Sequence, residues 1–336
     1  MRQLPPKLER VPRHVLAHLP TPLETMANLT RHVGGAELLV KRDDCTGLAM
    51  GGNKVRQLEF YLGDAVARGA DTLLITGAVQ SNFVRSAVAA GNTLGMQSHV
   101  QLEERVARSD ALYTGSGNVL LDQLLGATIY GYPEGEDEAG ADLRLESIAA
   151  ELEADGRTPY IIHLGPGHVP LGALGYVLAA AELLEQVDAG GPSFDEVVVA
   201  SGSGHTHAGL LFGLRALGCD VPVTGVCVRR SAELQHPRLI ERTGEIASIL
   251  GVDNPVIPSD VVLADAFLAP GYGQLNDATR AAIDLAAREE ALILDPVYTG
   301  KAMAAVLDRA NNADGRILFV HTGGTPAVFA YQSDLT

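Results

Sequence analysis

The chain has 336 residues, 46% of them apolar and 20% charged, which is material for a large buried core and a length suited to about two domains. Its 41 acidic residues outnumber 25 basic ones, and the resulting charge of −16 speaks against a nucleic-acid backbone or an anionic membrane surface as partner. Three cysteines (Cys45, Cys219, Cys227) without metal-ligand spacing fit free thiols in a reducing cytoplasm, and Met1 to Glu9 lack the apolar stretch of a signal peptide. No run approaches the ~18 apolar residues of a membrane span.

In chain order, residues 37–41 read as a strand entering the polar loop Arg42-Asp43-Asp44. A helix then starts behind Gly51-Gly52, with apolar residues at 55, 58, 62 and 65 keeping helical spacing as far as Gly69. Strand 72–76, helix 81–94, strand 99–102, helix 118–125 and strand 127–130 follow. The acidic stretch 133–140 reads as a solvated loop before a helix over 142–154. Strand 160–163, an alanine-rich helix over 171–187 and strand 196–200 come next. The chain closes with strand 223–228, helices 233–250 and 276–289, strand 292–294, helix 299–310 and strand 317–320. Such alternation implies parallel sheets with helices on both faces, an α/β fold in two blocks split near residue 165. The expected division is residues 1–54 with 165–336 as a large domain and 55–164 as a small one. Ligands then bind between the blocks, at the carboxyl ends of strands.

Two stretches carry chemistry. Only four lysines occur (Lys7, Lys41, Lys54, Lys301), and Lys54 stands where the Gly51-Gly52 loop becomes a helix. Aligned peptide dipoles and partial burial there both favour the neutral amine, the form that attacks a carbonyl. Lys54 is therefore a candidate Schiff-base lysine; the plain alternative is an ordinary helix-start residue. The second stretch, Ser201 to Gly209, follows a β-branched strand and opens a helix near Thr206. Free backbone N–H groups and the helix dipole make a phosphate cup there, although a ligand-free turn has the same look. It matches neither a P-loop nor a dinucleotide fingerprint. An imine-forming lysine with a cup for one phosphate, and no metal signature, points to pyridoxal 5′-phosphate.

The chain resembles the D-cysteine desulfhydrase and 1-aminocyclopropane-1-carboxylate deaminase family, of the two-domain tryptophan synthase β-like fold (fold type II). The matching blocks run from Pro20-Thr21-Pro22-Leu23-Glu24 through Lys41-Arg42-Asp43-Asp44, the Lys54 segment, Gln80-Ser81-Asn82 and Leu171-Gly172-Ala173-Leu174-Gly175-Tyr176. Ser201-Gly202-Ser203, Pro270-Gly271-Tyr272-Gly273, Asp295-Pro296-Val297-Tyr298-Thr299-Gly300-Lys301 and His321-Thr322-Gly323-Gly324 complete them.

The resemblance implies that Lys54 carries the cofactor and moves the Cα proton, and that Asn82 and Asn53 contact the cofactor's phenolate oxygen. It implies that Gln80 and Ser81 hold the substrate carboxylate, and that Ser203, Gly204, His205 and Thr206 hold the phosphate. Tyr272 and Tyr298 are expected to face the substrate, and Thr299 and Thr322 to approach the pyridine nitrogen. The deaminase branch has a glutamate where Thr299 stands. A neutral hydroxyl leaves the weaker electron sink, which suits a substrate whose β-substituent can depart. A homodimer is what the family implies.

Two departures bear on the substrate. Phe83 replaces a histidine or glutamine after Gln80-Ser81-Asn82, and Pro166-Gly167-His168-Val169 replaces a Gly-Gly-Ser-Asn run, putting His168 on the expected substrate side. The expectation is α,β-elimination from a small β-substituted amino acid, D-cysteine or a close relative, giving pyruvate and ammonia. L-Cysteate lyase or cyclopropane deaminase activity are the enzyme alternatives. A cofactor-binding sensor or carrier is the alternative from another class.

Overall fold

The computed structural model describes residues 3–165 and 167–336. Met1 of the amino-terminal reading and Pro166 of the substrate-side reading lie outside them. Strands β1 (Leu23–Thr25) and β2 (Glu37–Lys41) come first. Next are β3 (Thr72–Ala78), β4 (Gln97–Glu103), β5 (Thr128–Tyr132) and β6 (Pro159–Ile162). After them come β7 (Glu196–Ser201), β8 (Val223–Cys227), β9 (Val261–Ala264) and β10 (Arg316–Val320). They form a six-stranded sheet, β1-β2-β10-β7-β8-β9, and a four-stranded sheet, β5-β4-β3-β6. Every pairing is parallel except that of β1 on the edge.

Alternation along the strands decides how the large sheet is covered, because successive side chains point to opposite faces. Leu39, Val197, Val199, Leu318 and Val320 face one core with helices Leu174–Asp188, His205–Ala216 and Ala232–Leu250. Leu38, Val40, Val198, Ala200, Ile317 and Phe319 face the other, against helices Ala27–Val33, Asp277–Glu290 and Thr299–Ala310. Each such side chain contributes ~1.5–3 kcal/mol on full burial. In the small sheet β3 is buried along its whole length. Leu73 and Ile75 pack on helices Asn53–Ala67 and Asn82–Thr93, while Leu74 packs on helix Glu138–Ala154.

Two local expectations are corrected. Residues 292–294 form no strand: Leu292 and Leu294 are apolar because they pack under the Asp277–Glu290 helix, in a connection without regular secondary structure. The supposed loop 133–140 becomes helical at Glu138, where Asp137 caps by accepting from Gly140 N. Acidic residues at a helix start suit the positive end of its dipole. No helix among the described residues is long and apolar enough to cross a membrane.

Candidate active site

Both sheets turn strand carboxyl ends to one cleft. Thr76, Gly77 and Ala78 end β3, Glu103 ends β4, Ala200 lies near the end of β7, and Thr322 follows β10; all six line it. Lys54 enters from helix Asn53–Ala67. Just ahead of that helix, Ala49, Met50, Gly51 and Gly52 all have positive φ (42°, 71°, 67° and 107°), a strained run of the kind that clusters at functional loops. It lets the helix start press on the loop after β10. Asn53 N donates to Thr322 O at 3.0 Å, and a Cβ on Gly323 would sit 2.7 Å from Gly52 Cα.

Lys54 is half-buried, and its amine nitrogen lies 4.9 Å from the Phe83 ring centroid. Among the described residues it has no carboxylate or hydrogen-bond partner. Burial alone acts on it and lowers its pKa to about 8. Its neutral form is therefore accessible near neutral pH.

Opposite lies the loop between β7 and helix His205–Ala216. Gly202, Ser203, Gly204 and Thr206 line the cleft, and the helix's first N–H groups have no carbonyl of their own helix to bond. Gly204 has φ 94°, and a Cβ there would meet Leu239 at 2.7 Å. Thr206 Oγ1 accepts from both Asn53 Nδ2 and Gln57 Nε2 at 2.8 Å. With both lone pairs engaged, its own O–H is left to donate into the cup. Asn82 is similar in reverse: its Oδ1 accepts from Asn118 Nδ2 at 2.9 Å, leaving Nδ2 as a donor on the cleft. Ser81 caps helix Asn82–Thr93 by accepting from Val84 N, and Gly77 gives it room, since a Cβ there would lie 2.7 Å from Ser81 Oγ. Tyr272 and Tyr298 share a 2.7 Å hydrogen bond between their hydroxyls. Burial, then the neighbouring Tyr272, pushes the Tyr298 hydroxyl well above its ordinary range, so it keeps its proton.

Four expected site residues stand elsewhere. Gln80 is buried with its amide spent on structure: Nε2 donates to Tyr113 O and Ser116 O, and Oε1 accepts from Asn118 N. Thr299 is buried off the cleft, its hydroxyl donating to Asp295 Oδ1 and accepting from Asp295 N; Thr322 is the member of that pair on the cleft. His205 places its ring in the interior, where burial first and nearby Arg242 next hold it neutral. His168 stacks on His163 at 3.8 Å and reaches Asp142 Oδ2 at 3.5 Å, behind the cleft wall. Each is polar and sits beside a motif, but the interior or a neighbour uses its side chain.

Other cleft residues carry no motif. Glu103 accepts from Thr76 Oγ1 at 2.7 Å and holds Arg105 in a two-point pair at 2.8 Å. Arg229 and Arg230 come just after β8, and Arg238 and Glu138 complete the rim. For Glu103, Arg105, Arg229 and Arg230 the signal available was position, charged residues at or just past strand carboxyl ends; Arg238 and Glu138 lie on helices, where no such signal exists.

The donors fit pyridoxal phosphate: an uncompensated amine, a cup of free N–H groups with a spare hydroxyl, and an amide N–H between them. A family model for the pyridoxal-phosphate dependent enzymes matches residues 15–323. The chain belongs to that family. It is 45% identical to a D-cysteine desulfhydrase of Yersinia enterocolitica, over 97% of this chain and 98% of the relative. Identity is also 45% to a D-cysteine desulfhydrase of Salmonella paratyphi C, with the same coverage. Among solved structures, one described as an ACC deaminase homologue superposes with TM-score 0.87 at 36% identity, covering 98% of this chain and 97% of that one. O-ureido-L-serine synthase, at 17% identity and TM-score 0.66, shares the fold.

Proposed function

We propose that this pyridoxal-phosphate dependent enzyme eliminates the β-substituent of a small amino acid of the D-cysteine type, releasing hydrosulfide, pyruvate and ammonia. The observation that carries the reading is the unpartnered Lys54 amine, held near pKa 8 in the same cleft as a tyrosine pair and a phosphate cup. The names of the relatives just described support the substrate class.

Pyridoxal phosphate bound here supplies an electron sink for the charge left when Cα loses its proton. Lys54 would hold the cofactor, and its amine would then take the Cα proton. The backbone N–H groups of Gly202 to Thr206 and the Thr206 hydroxyl would hold the phosphate, Asn82 Nδ2 would be the donor for the ring oxygen, and Thr322 would serve the ring nitrogen. Ser81, at the start of helix Asn82–Thr93, seats the substrate carboxylate, which the helix dipole favours. Tyr298 stays protonated and donates toward the departing sulfur, and Tyr272 orients it. Phe83 packs beside the amine, its ring centroid 4.9 Å from the nitrogen. With Thr299 tied to Asp295, Thr322 is left on the cleft to serve the ring nitrogen, and a neutral hydroxyl there would favour elimination over cyclopropane opening. The two lobes, residues 1–54 with 165–336 and residues 55–164, the cytoplasmic location and the homodimer belong to this proposal.

The test is a panel of D-cysteine, L-cysteine and 1-aminocyclopropane-1-carboxylate, with sulfide, 2-oxo acid and ammonia measured. Equimolar sulfide and pyruvate from D-cysteine is expected. A four-carbon 2-oxo acid from the cyclopropane compound alone would replace this reading with deamination. A yellow protein inert to the whole panel would mean a sensor or carrier.

A further inference from the structure

Behind the cleft wall, three side chains that the elimination chemistry does not use meet at one point. Among the described residues, Asp142, His163 and His168 are the one set of three metal-binding side chains whose donor atoms all lie within 4.8 Å of one another. Asp142 comes from helix Glu138–Ala154, His163 follows β6, and His168 stands further along the same crossover toward the large sheet. His163 and His168 are separated by four residues, within the ~3–5-residue spacing usual for paired histidine ligands. Gly167, at φ 80°, turns the chain between them. Buried Arg242 pins this loop from the large-sheet side, donating to Gly165 O at 2.6 Å and to His168 O at 3.0 Å.

The spacings suit an ion better than they suit hydrogen bonds. His163 Nδ1 stands 3.3 Å from Asp142 Oδ1 and His168 Nε2 3.5 Å from Asp142 Oδ2, both long for a bond to a carboxylate. Donors ~2.1 Å from a tetrahedral ion lie ~3.4 Å from one another, close to the separations found. The two rings are parallel, with 3.8 Å between centroids and 4° between planes, and each turns a nitrogen to the carboxylate. An ion lies in the plane of each imidazole that binds it, so coordination turns these half-buried rings out of their stack by side-chain rotation. Both histidines also line a second cavity, of about 350 Å³, with Tyr61, Asp64 and Tyr160. It leaves room for a water beside the ion.

We infer that Asp142, His163 and His168 form a site for one divalent transition metal of the zinc class, which fastens the crossover between the sheets to the helix bearing Glu138. Two imidazoles and a carboxylate are the donors that such metals take, whereas magnesium and calcium favour oxygen alone. Three protein ligands leave one position for water. Any proton on a ligating nitrogen passes to solvent as the ion binds. Asp142 lies one turn beyond Glu138, the residue of the cleft rim that meets Arg229, Arg230 and Arg238 of the large-sheet side. An ion here steadies that rim from behind. The site stands whichever substrate the cleft takes.

The experiment titrates the cofactor-loaded full chain, without substrate, with zinc chloride by calorimetry and with cobalt chloride by visible absorbance. One equivalent of zinc is expected to bind in the micromolar range or tighter, and cobalt to give the strong bands of a four-coordinate ion. His163→Gln and His168→Gln are each expected to weaken zinc binding at least ~100-fold, since even partners one step outside a metal's ligands cost ~10–100-fold. Asp142→Asn, which keeps the shape of the side chain, should weaken it as well, and bound-cofactor absorbance shows that each variant is folded. Saturating zinc is expected to raise the melting temperature of the unsubstituted enzyme by a few degrees and to leave His168→Gln unmoved. An equal rise in both overturns the site. So does a failure to bind zinc at ~1 mM, or an affinity that survives all three substitutions and so places the metal elsewhere. If a histidine variant loses its cofactor, Asp142→Asn and the cobalt spectrum of the unsubstituted enzyme still decide: unchanged affinity or a six-coordinate spectrum overturns the site.

Discussion

Helix Asn53–Ala67 opens with two cations two residues apart whose surroundings are opposites. Arg56 is 1% exposed and saturated with partners: Asp43 at 2.9 and 3.1 Å, both oxygens of Glu182 at 2.9 Å, and Thr21 Oγ1 at 3.0 Å. Tyr176 and Lys41 close the web, donating to Asp43 and to Glu182 at 2.6 Å each. Lys54 faces the cleft with an aromatic ring and, among the described residues, no counter-charge. The same turn of helix thus anchors itself on one side and leaves a reactive amine free on the other. Compensated charge secures position, and uncompensated charge gives reactivity.

Methionine at each position breaks the comparison in a different currency. Lys54→Met is expected to cost ~10³–10⁴-fold in kcat/KM, because proton transfer at Cα loses its base. It should also abolish the borohydride-reducible link to the cofactor. A variant that still fixes the chromophore after reduction would remove Lys54 from the reaction. Arg56→Met leaves buried Asp43 and half-buried Glu182 with fewer partners. Burial pushes the Asp43 carboxyl up, and the charge and hydrogen bonds of Arg56, with help from Tyr176, more than offset it and hold it below the usual range. Losing that partner is expected to cost ~3–5 kcal/mol in denaturant unfolding. A change under ~1 kcal/mol would show that Lys41 and Tyr176 suffice to hold both carboxylates.

The tyrosine pair sharpens the same distinction at smaller scale. Tyr298→Phe removes a protonated hydroxyl but keeps the ring that packs against Tyr272 at 6.1 Å. Turnover of a thiol substrate is expected to fall ~10²-fold, with cofactor affinity held. Equal loss with 3-chloroalanine, whose chloride leaves without a proton, would assign Tyr298 to positioning.

How much of this was legible in the sequence follows from what each signal reports. Strands β3 and β7 were legible because runs such as Glu196-Val197-Val198-Val199-Ala200 have one structural use, a strand buried on both faces. Leu292-Ile293-Leu294 has an apolar pattern too, but burial without a partner strand looks identical at the level of sequence. Lysine scarcity was a poor guide: Lys41 and Lys301 are equally buried, yet Lys41 donates to Glu182, and Lys301 to Leu268 O and Gly271 O. What singles out Lys54 is a missing partner, which no motif records. Gln80 and Thr299 sit beside true cleft residues, so adjacency alone could not tell a side chain facing the ligand from one tied to a neighbouring loop. The arginine rim joins residues 138, 229, 230 and 238 from both sheets, a contact that only folding creates.

The smallest expected effect is also the one that most directly weighs free charge against anchored charge. In the cofactor-free protein, Lys54 carries a pKa of about 8 against an ordinary 10.5. Below pH 8 both folded and unfolded chains hold the proton, and the folded one bears the full desolvation cost. Between 8 and 10.5 the unfolded chain binds more protons, so stability rises with pH across that window; above it the cost is gone. Lys54→Met removes the cost and also loses the contact with Phe83, which is worth ~0.5–1 kcal/mol. Lys54 as a residue is half-buried, so solvent screens part of this penalty, and the net gain at pH 7 is expected near ~1 kcal/mol. That gain should shrink toward zero as pH climbs from 8 to 10.5. Unfolding curves of the two cofactor-free proteins at pH 7 and pH 10 measure it. A gain independent of pH would come from packing against Phe83, and the amine would then carry no stored cost.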